Sequence, residues 1–234
     1  MNVKAMTVCL KYPKLIIEYA SGVVARTELD ETSGDIVFFH KSGEVIVQNV
    51  PRHILPGVTY LKQFGISITN DGMYYFIQSW EKGLFCFELQ TGCLVWHCKI
   101  KRATDLVVLK NSVICHFLEQ SVCVLDLSSG EIQYRVPLGF DTHFFPLTDD
   151  YYLMGPKRHI YHLVNSSLKT IAQIPMIALN PNAYDHFIML RADVDNGGIC
   201  IFGFEHPPVV GREPPPEQCR FSRFIPVDIP GLTT

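Results

Sequence analysis

Residues 83 to 96 read Gly-Leu-Phe-Cys-Phe-Glu-Leu-Gln-Thr-Gly-Cys-Leu-Val-Trp, and the same grammar returns 38 positions later. There Glu88 falls on Asp126, Leu89 on Leu127, Thr91-Gly92 on Ser129-Gly130, Leu94 on Ile132 and Trp96 on Tyr134. Each copy is a strand able to pack on both faces, a tight turn and a second strand. A repeat of this length confines a chain to architectures built from stacked, near-identical sheet units, and such architectures place chemistry in the links between units.

Extending the register along the chain gives five copies. The second holds strands at 65–69, 73–78 and 83–89 and one ending near Ile100; the third holds 105–109, 113–118, 122–127 and 132–138. Asn70-Asp71-Gly72, Asn111-Ser112 and Ser128-Ser129-Gly130 supply the turns. The fourth copy reads 144–147, 151–154, 160–164 and 170–174, with Leu168 where the turn glycine belongs. The fifth reads 177–179, 187–190 and 199–204, then a proline-rich insertion over 207–217, then a last strand over 220–227. In the first copy Val23–Leu29, Ile36–His40 and Glu44–Gln48 are strands, with Gly43 set against Gly83 and the outer strand weakened by Pro51 and Pro56. Third strands are thus expected near 43–49, 83–89, 121–127, 159–165 and 197–204.

Four short strands in each copy of about 40 residues match the blade of a β-propeller. The expected fold is all-β, a propeller of five four-stranded blades in one domain over residues 1–234. Met6–Leu10 and Leu15–Tyr19 belong to no complete copy. They are expected to close the last blade, the one containing Ile199–Phe204, so that no seam stays open.

The Gly83–Trp96 hairpin also resembles the repeat of the pyrroloquinoline-quinone-type, or quinoprotein-like, propellers: a glycine, an alternating strand, an acidic residue, Thr-Gly, and a strand carrying Trp. The resemblance covers residues 65 to 138. It implies the propeller fold, within which a calcium-quinone dehydrogenase is one use and an assembly scaffold another. The quinone-dependent enzymes of that family have about eight blades, so their cofactor funnel is not carried over onto five, and no cofactor is expected.

Composition narrows the partners. With 20 Lys and Arg against 23 Asp and Glu, the net charge of −3 provides no field for nucleic acid or an anionic membrane, and neither is expected as a partner. Eight cysteines without a Cys-x-x-Cys pair read as small core residues, Cys86, Cys98, Cys115, Cys123 and Cys200 among them. Ala5–Leu10 is too short for the apolar core of a secretory leader and is followed by Lys11-Tyr12-Pro13, so a reducing, cytoplasmic location is expected.

No constellation spells out an activity. His159 and His162 are three apart, Cys93 and Cys98 five, Cys115 and His116 one. Residues an odd number apart on a strand point to opposite faces, so these pairs do not share an ion, and no metal site is expected. Asp193-Val194-Asp195-Asn196-Gly197-Gly198 begins like a calcium loop but has Gly197 at the fifth position and Phe204 at the twelfth, where a glutamate belongs; a hairpin turn is expected instead. Glu88 and Asp126 are read as anchors of turn backbone rather than as bases, and no catalytic residue is assigned.

The leading function is a protein-binding propeller, an interaction module whose concrete form would be an inhibitor or immunity-type protein capping a toxin or enzyme. The alternative is a small propeller enzyme or carbohydrate-binding protein with a site in the central depression, which leaves a small-molecule ligand open. In a propeller the links from outer strand to next blade share a face with those from second to third strand. That face would carry Trp80, Lys101, Arg102, Asp141, His143, Lys157 and Arg158, the residues assigned to the partner. The opposite face receives Thr91-Gly92, Ser129-Gly130 and Ser166-Ser167, whose side chains are small.

Overall fold

The computed structural model describes residues 3–5, 14–19, 22–30, 33–50, 64–79, 81–101, 103–117, 121–137, 143–157, 160–175, 188–195, 197–204 and 220–229. These residues form twenty strands in five antiparallel sheets, the blades of a β-propeller, with no helix among them. The chain divides into two compact units, Val3–Phe140 and Asp141–Thr234.

The first unit holds three sheets. The first contains β1 (Val3–Ala5), β2 (Lys14–Tyr19), β3 (Val24–Asp30), β4 (Asp35–His40) and β5 (Val45–Asn49), in that order. The second contains β6 (Phe64–Ile68), β7 (Tyr74–Ser79), β8 (Gly83–Glu88) and β9 (Leu94–Cys98). The third contains β10 (Ala103–Val108), β11 (Ser112–Phe117), β12 (Ser121–Asp126) and β13 (Ile132–Pro137). Every sheet is a meander of chain neighbours, the pairing that short links allow at least loss of chain entropy.

The middle strands explain the continuous apolar runs of the repeat. Ile77, Phe76, Cys86, Val122, Val124 and Leu125 are all buried, because successive residues that point to opposite faces meet protein on both. One face of the first sheet packs on the second through Leu29, Ile36, Phe38, Tyr75, Ile77, Phe85 and Phe87. Tyr75 sits at the centre, 4.9 Å from the Phe38 ring and stacked at 5.0 Å on Phe87. The other face of the second sheet meets the third through Phe76, Leu84, Cys86, Trp96, Val113, Cys115, Cys123 and Leu125.

The second unit holds β14 (His143–Pro146), β15 (Tyr151–Lys157), β16 (Ile160–Asn165) and β17 (Thr170–Pro175) in one sheet. A second sheet contains β18 (Ile188–Asp195), β19 (Gly198–Phe204) and β20 (Arg220–Pro226). Leu153, Leu163, Ile174, Ala192, Ile199 and Ile201 form the core they share. The strand expected at 177–179 and the proline-rich insertion lie outside the described residues.

The first sheet departs from the sequence reading twice. Leu15–Tyr19 was expected in the last blade; within β2 it ladders with β3, from Lys14 opposite Asp30 to Glu18 opposite Arg26, as the first of the four strands that match a blade, with β1 paired on its other side. A neighbouring segment reaches that place with far less loop closure than one from the far end of the sequence. Met6–Leu10 lies outside the described residues. Consequently the third strand of this blade is Asp35–His40, and Val45–Asn49, expected third, is the outermost. The register that fits is 49 positions: Gly34 meets Gly83 and Ser42-Gly43 meets Thr91-Gly92, with all four glycines at positive φ or in the matching turn, at 79°, 107°, 93° and 69° for residues 34, 83, 43 and 92. Among the described residues the first sheet has five strands and the last has three.

Candidate functional site

In a meander the links from first to second and from third to fourth strand lie at one end of the sheet, and the remaining links at the other. The first end is committed to holding the fold. Asp126 Oδ1 accepts the backbone N–H groups of Ser128 and Ser129, both at 2.9 Å, and their hydroxyls at 2.5 and 3.2 Å. These donors, the Ser128 hydroxyl foremost and the Ser129 N–H next, hold the Asp126 carboxyl below its ordinary 3.8. Glu88, one repeat earlier, accepts from the Thr91 hydroxyl at 2.5 Å. The acidic position of the repeat is thus a turn anchor, as its place beside Thr-Gly and Ser-Gly implied.

Beneath these turns the outer strand of one blade reaches the next. Trp96 Nε1 donates to the Leu127 carbonyl at 2.9 Å, and a Cβ on Gly130 would lie 2.5 Å from the Trp96 ring. One blade earlier, Gln48 Nε2 donates to the Leu89 carbonyl at 2.7 Å, and a Cβ on Gly92 would meet the Gln48 amide at 2.1 Å. Leu89 and Leu127 are repeat equivalents, so Gln48 and Trp96 do the same work with different chemistry.

The other end of the second blade is where charge gathers. Gly83 has φ +107°, and a Cβ there would lie 2.2 Å from the Cys98 carbonyl oxygen and 3.2 Å from the Ile100 nitrogen. Only glycine lets the chain leaving β9 cross directly against the β7–β8 turn. That crossing sets Glu81 and Lys82 beside Lys99 and Lys101, all four exposed. His97 Nε2 lies 2.8 Å from the Lys82 carbonyl, which can only accept, so the ring carries its proton there. The same ring stacks on Phe85 at 4.0 Å with planes 4° apart. The result is a basic corner of three lysines and one glutamate.

Of the residues assigned to a partner from sequence, Lys101 stands in this corner. Trp80, Arg102, Asp141 and Arg158 lie outside the described residues. His143 opens β14 and Lys157 closes β15; with His143 opposite Gly155, the two share one end of the fourth sheet. Lys99 and His97 were missed. Their signal was the spacing around Gly83, legible only once the crossing is known.

Asp193, Val194 and Asp195 of β18 pair with Cys200, Ile199 and Gly198 of β19, and Gly197 has φ +77°, so the expected hairpin stands where the calcium-loop likeness lay. Among the described residues no three His, Cys, Asp or Glu side chains gather as metal ligands. Of the described cysteines, Cys86, Cys115 and Cys123 are buried and Cys93 is exposed. Burial pushes the Cys86 thiol up to about 12. No described helix is long and apolar enough to cross a membrane.

No family model matches the chain, and no curated protein matches it. Among solved structures it is similar to the crystal structure of BamB from Moraxella catarrhalis, a PQQ-like β-propeller repeat protein, at 13% identity and a TM-score of 0.53. That match covers 81% of this chain and 54% of BamB, so the chain spans about half of BamB's length. A crystal structure of Hsv2 from Kluyvelomyces marxianus aligns at 9% identity and a TM-score of 0.46, over 70% of this chain and 57% of the other. The likeness to BamB shows the β-propeller fold alone.

Proposed function

We propose that the chain is a protein-interaction propeller and that the first unit receives its partner at the basic corner of the second blade. The observation that carries this reading is the Gly83 crossing. It holds Lys82, Lys99 and Lys101 on two chain segments fixed against each other, so little side-chain support has to be ordered on binding. The opposite turns have Asp126, Glu88, Gln48 and Trp96 engaged in the fold itself. Trp80 and Arg102 adjoin the corner in sequence and are assigned to the same contact. A narrower form of the same proposal is an inhibitor or immunity-type protein that caps a toxin or enzyme. A reducing, cytoplasmic setting is part of the same proposal, motivated by Cys86, Cys115 and Cys123 packing as small core residues.

Alanine substitution with a partner in hand tests the reading. Lys101→Ala, Arg102→Ala and Trp80→Ala should each weaken affinity by more than about tenfold, which is about 1.4 kcal/mol. Thr91→Ala should leave it unchanged. The reverse pattern would move the interface to the other end of the blades.

A further inference from the structure

Sheet edges invite unwanted strand pairing, and proteins guard them with charges, prolines and bulges. The outermost strands here are guarded one by one. A register shift breaks the ladder of β9 with β8 at Cys86/Phe87, of β13 with β12 at Val124/Leu125 and of β17 with β16 at Leu163/Val164. Arg135 and Pro137 add to β13, Pro175 adds to β17, and β20 carries Arg220, Arg223 and Pro226. The exception is β5. Its sequence, Val-Ile-Val-Gln-Asn, has no charge and no proline, and its ladder with β4 runs from Asp35/Asn49 to Phe39/Val45 without a shift.

The edge is also set for pairing. His40 N–H donates to the Glu44 carbonyl and Val50 N–H to the Gly34 carbonyl, which makes the even-numbered residues of β5 the ones bonded to β4. The N–H and C=O of Val45, Val47 and Asn49 therefore point away from the sheet. Side chains follow the same alternation: Ile46 packs into the core and Gln48 reaches Leu89, while Val45 and Val47 are 52% and 59% exposed.

We propose that β5 accepts an extended segment of a partner protein as an additional strand. The added strand would carry aliphatic or β-branched residues at alternate positions facing Val45 and Val47, and a Lys or Arg where it passes Glu44, which is exposed at the start of the edge. Main-chain hydrogen bonds give such pairing its affinity and the alternate side chains its selectivity. A second copy of this chain is the poorer occupant. A five-residue edge spans roughly 17 Å, and two such edges bury far less than the roughly 1,000 Å² that a stable protein pair needs. The proposal rests on the protein-interaction reading and adds a second contact to it.

The probe is a fluorescein-labelled peptide, Lys-Val-Thr-Val-Thr-Val-Thr-Val-Lys, followed by anisotropy with the full chain. Saturable binding is expected, weakened more than tenfold by Val47→Lys and by Val47→Pro, which removes an outward N–H without touching the β4 ladder. Leu94→Lys on β9 should leave it unchanged, and the peptide N-methylated at alternate residues should not bind. Absence of saturable binding to the wild type, equal binding by both Val47 variants, or equal binding of the N-methylated peptide would overturn the proposal. So would a dimer mass by light scattering that Val47→Lys reduces to the monomer, since it would give the edge to a second copy. If a native partner is lost with Lys101→Ala yet kept with Val47→Lys, the edge proposal fails while the interaction reading stands.

Discussion

Trp96 and Gln48 show how different residues can make the same contact from one blade to the next. Each reaches the next blade by a side-chain N–H bonded to a carbonyl, 2.9 Å for Trp96 and 2.7 Å for Gln48, and each leaves no room for a Cβ on the turn above. Trp96→Phe should keep the ring and lose the bond, costing about 1 kcal/mol in urea unfolding. Gly130→Ala meets both a left-handed backbone and the indole, and should cost more than the roughly 1 kcal/mol of the backbone alone. In the fourth blade Leu168 already adopts φ +57° at the equivalent place, with Asn165 Oδ1 accepting from Ser167 and Lys169 N–H. Leu168→Gly should therefore change stability by less than about 1 kcal/mol, relief of strain being offset by a looser unfolded chain. Asp126 adds a pH signature. Its carboxylate is favoured in the folded turn, so its contribution is present above the ordinary 3.8 and disappears as pH falls through the lower folded value. The difference in melting temperature between wild type and Asp126→Asn should accordingly shrink in acid; a constant difference would remove the anchor role.

At the scale of strands, the sequence was legible where apolar runs and turn residues agreed. Blades two to four were placed to within two residues, save that β15 runs past the expected Met154 to Lys157, because Asn70-Asp71-Gly72, Thr91-Gly92 and Ser129-Gly130 punctuate runs of similar length. The first blade was misread by one strand. Its spacing to the second is 49 positions rather than 38 or 40, so matching Gly43 to Gly83 paired a turn after the third strand with a turn before it. The basic corner was legible only in part, since Lys101 announces itself as a charge in a link whereas Lys99 and His97 follow from the chain crossing at Gly83. Thiol chemistry reports on the same strands. Native labelling with iodoacetamide should modify exposed Cys93 first and spare Cys86, Cys115 and Cys123 until unfolding; early modification of Cys86 would contradict its burial between the second and third sheets.

For the whole molecule, the repeat supplies the frame of each unit, and the proposed recognition is placed in the links. Propellers carry many functions on one architecture, and similarity at 13% identity to BamB transfers only that architecture. Recognition in the first unit is assigned to charges held by a glycine crossing, and charge-based recognition depends on ionic strength because exposed charges are screened over about 8 Å at physiological salt. The most direct measurement is affinity purification of the full chain at low and high salt, comparing wild type with Lys82→Glu/Lys99→Glu/Lys101→Glu and with Thr91→Ala, followed by mass spectrometry. A protein partner should be retained by wild type and Thr91→Ala at low salt, lost on raising the salt, and absent from the charge-reversed variant. A partner held equally by the charge-reversed variant, or none held by the wild type, would contradict the account.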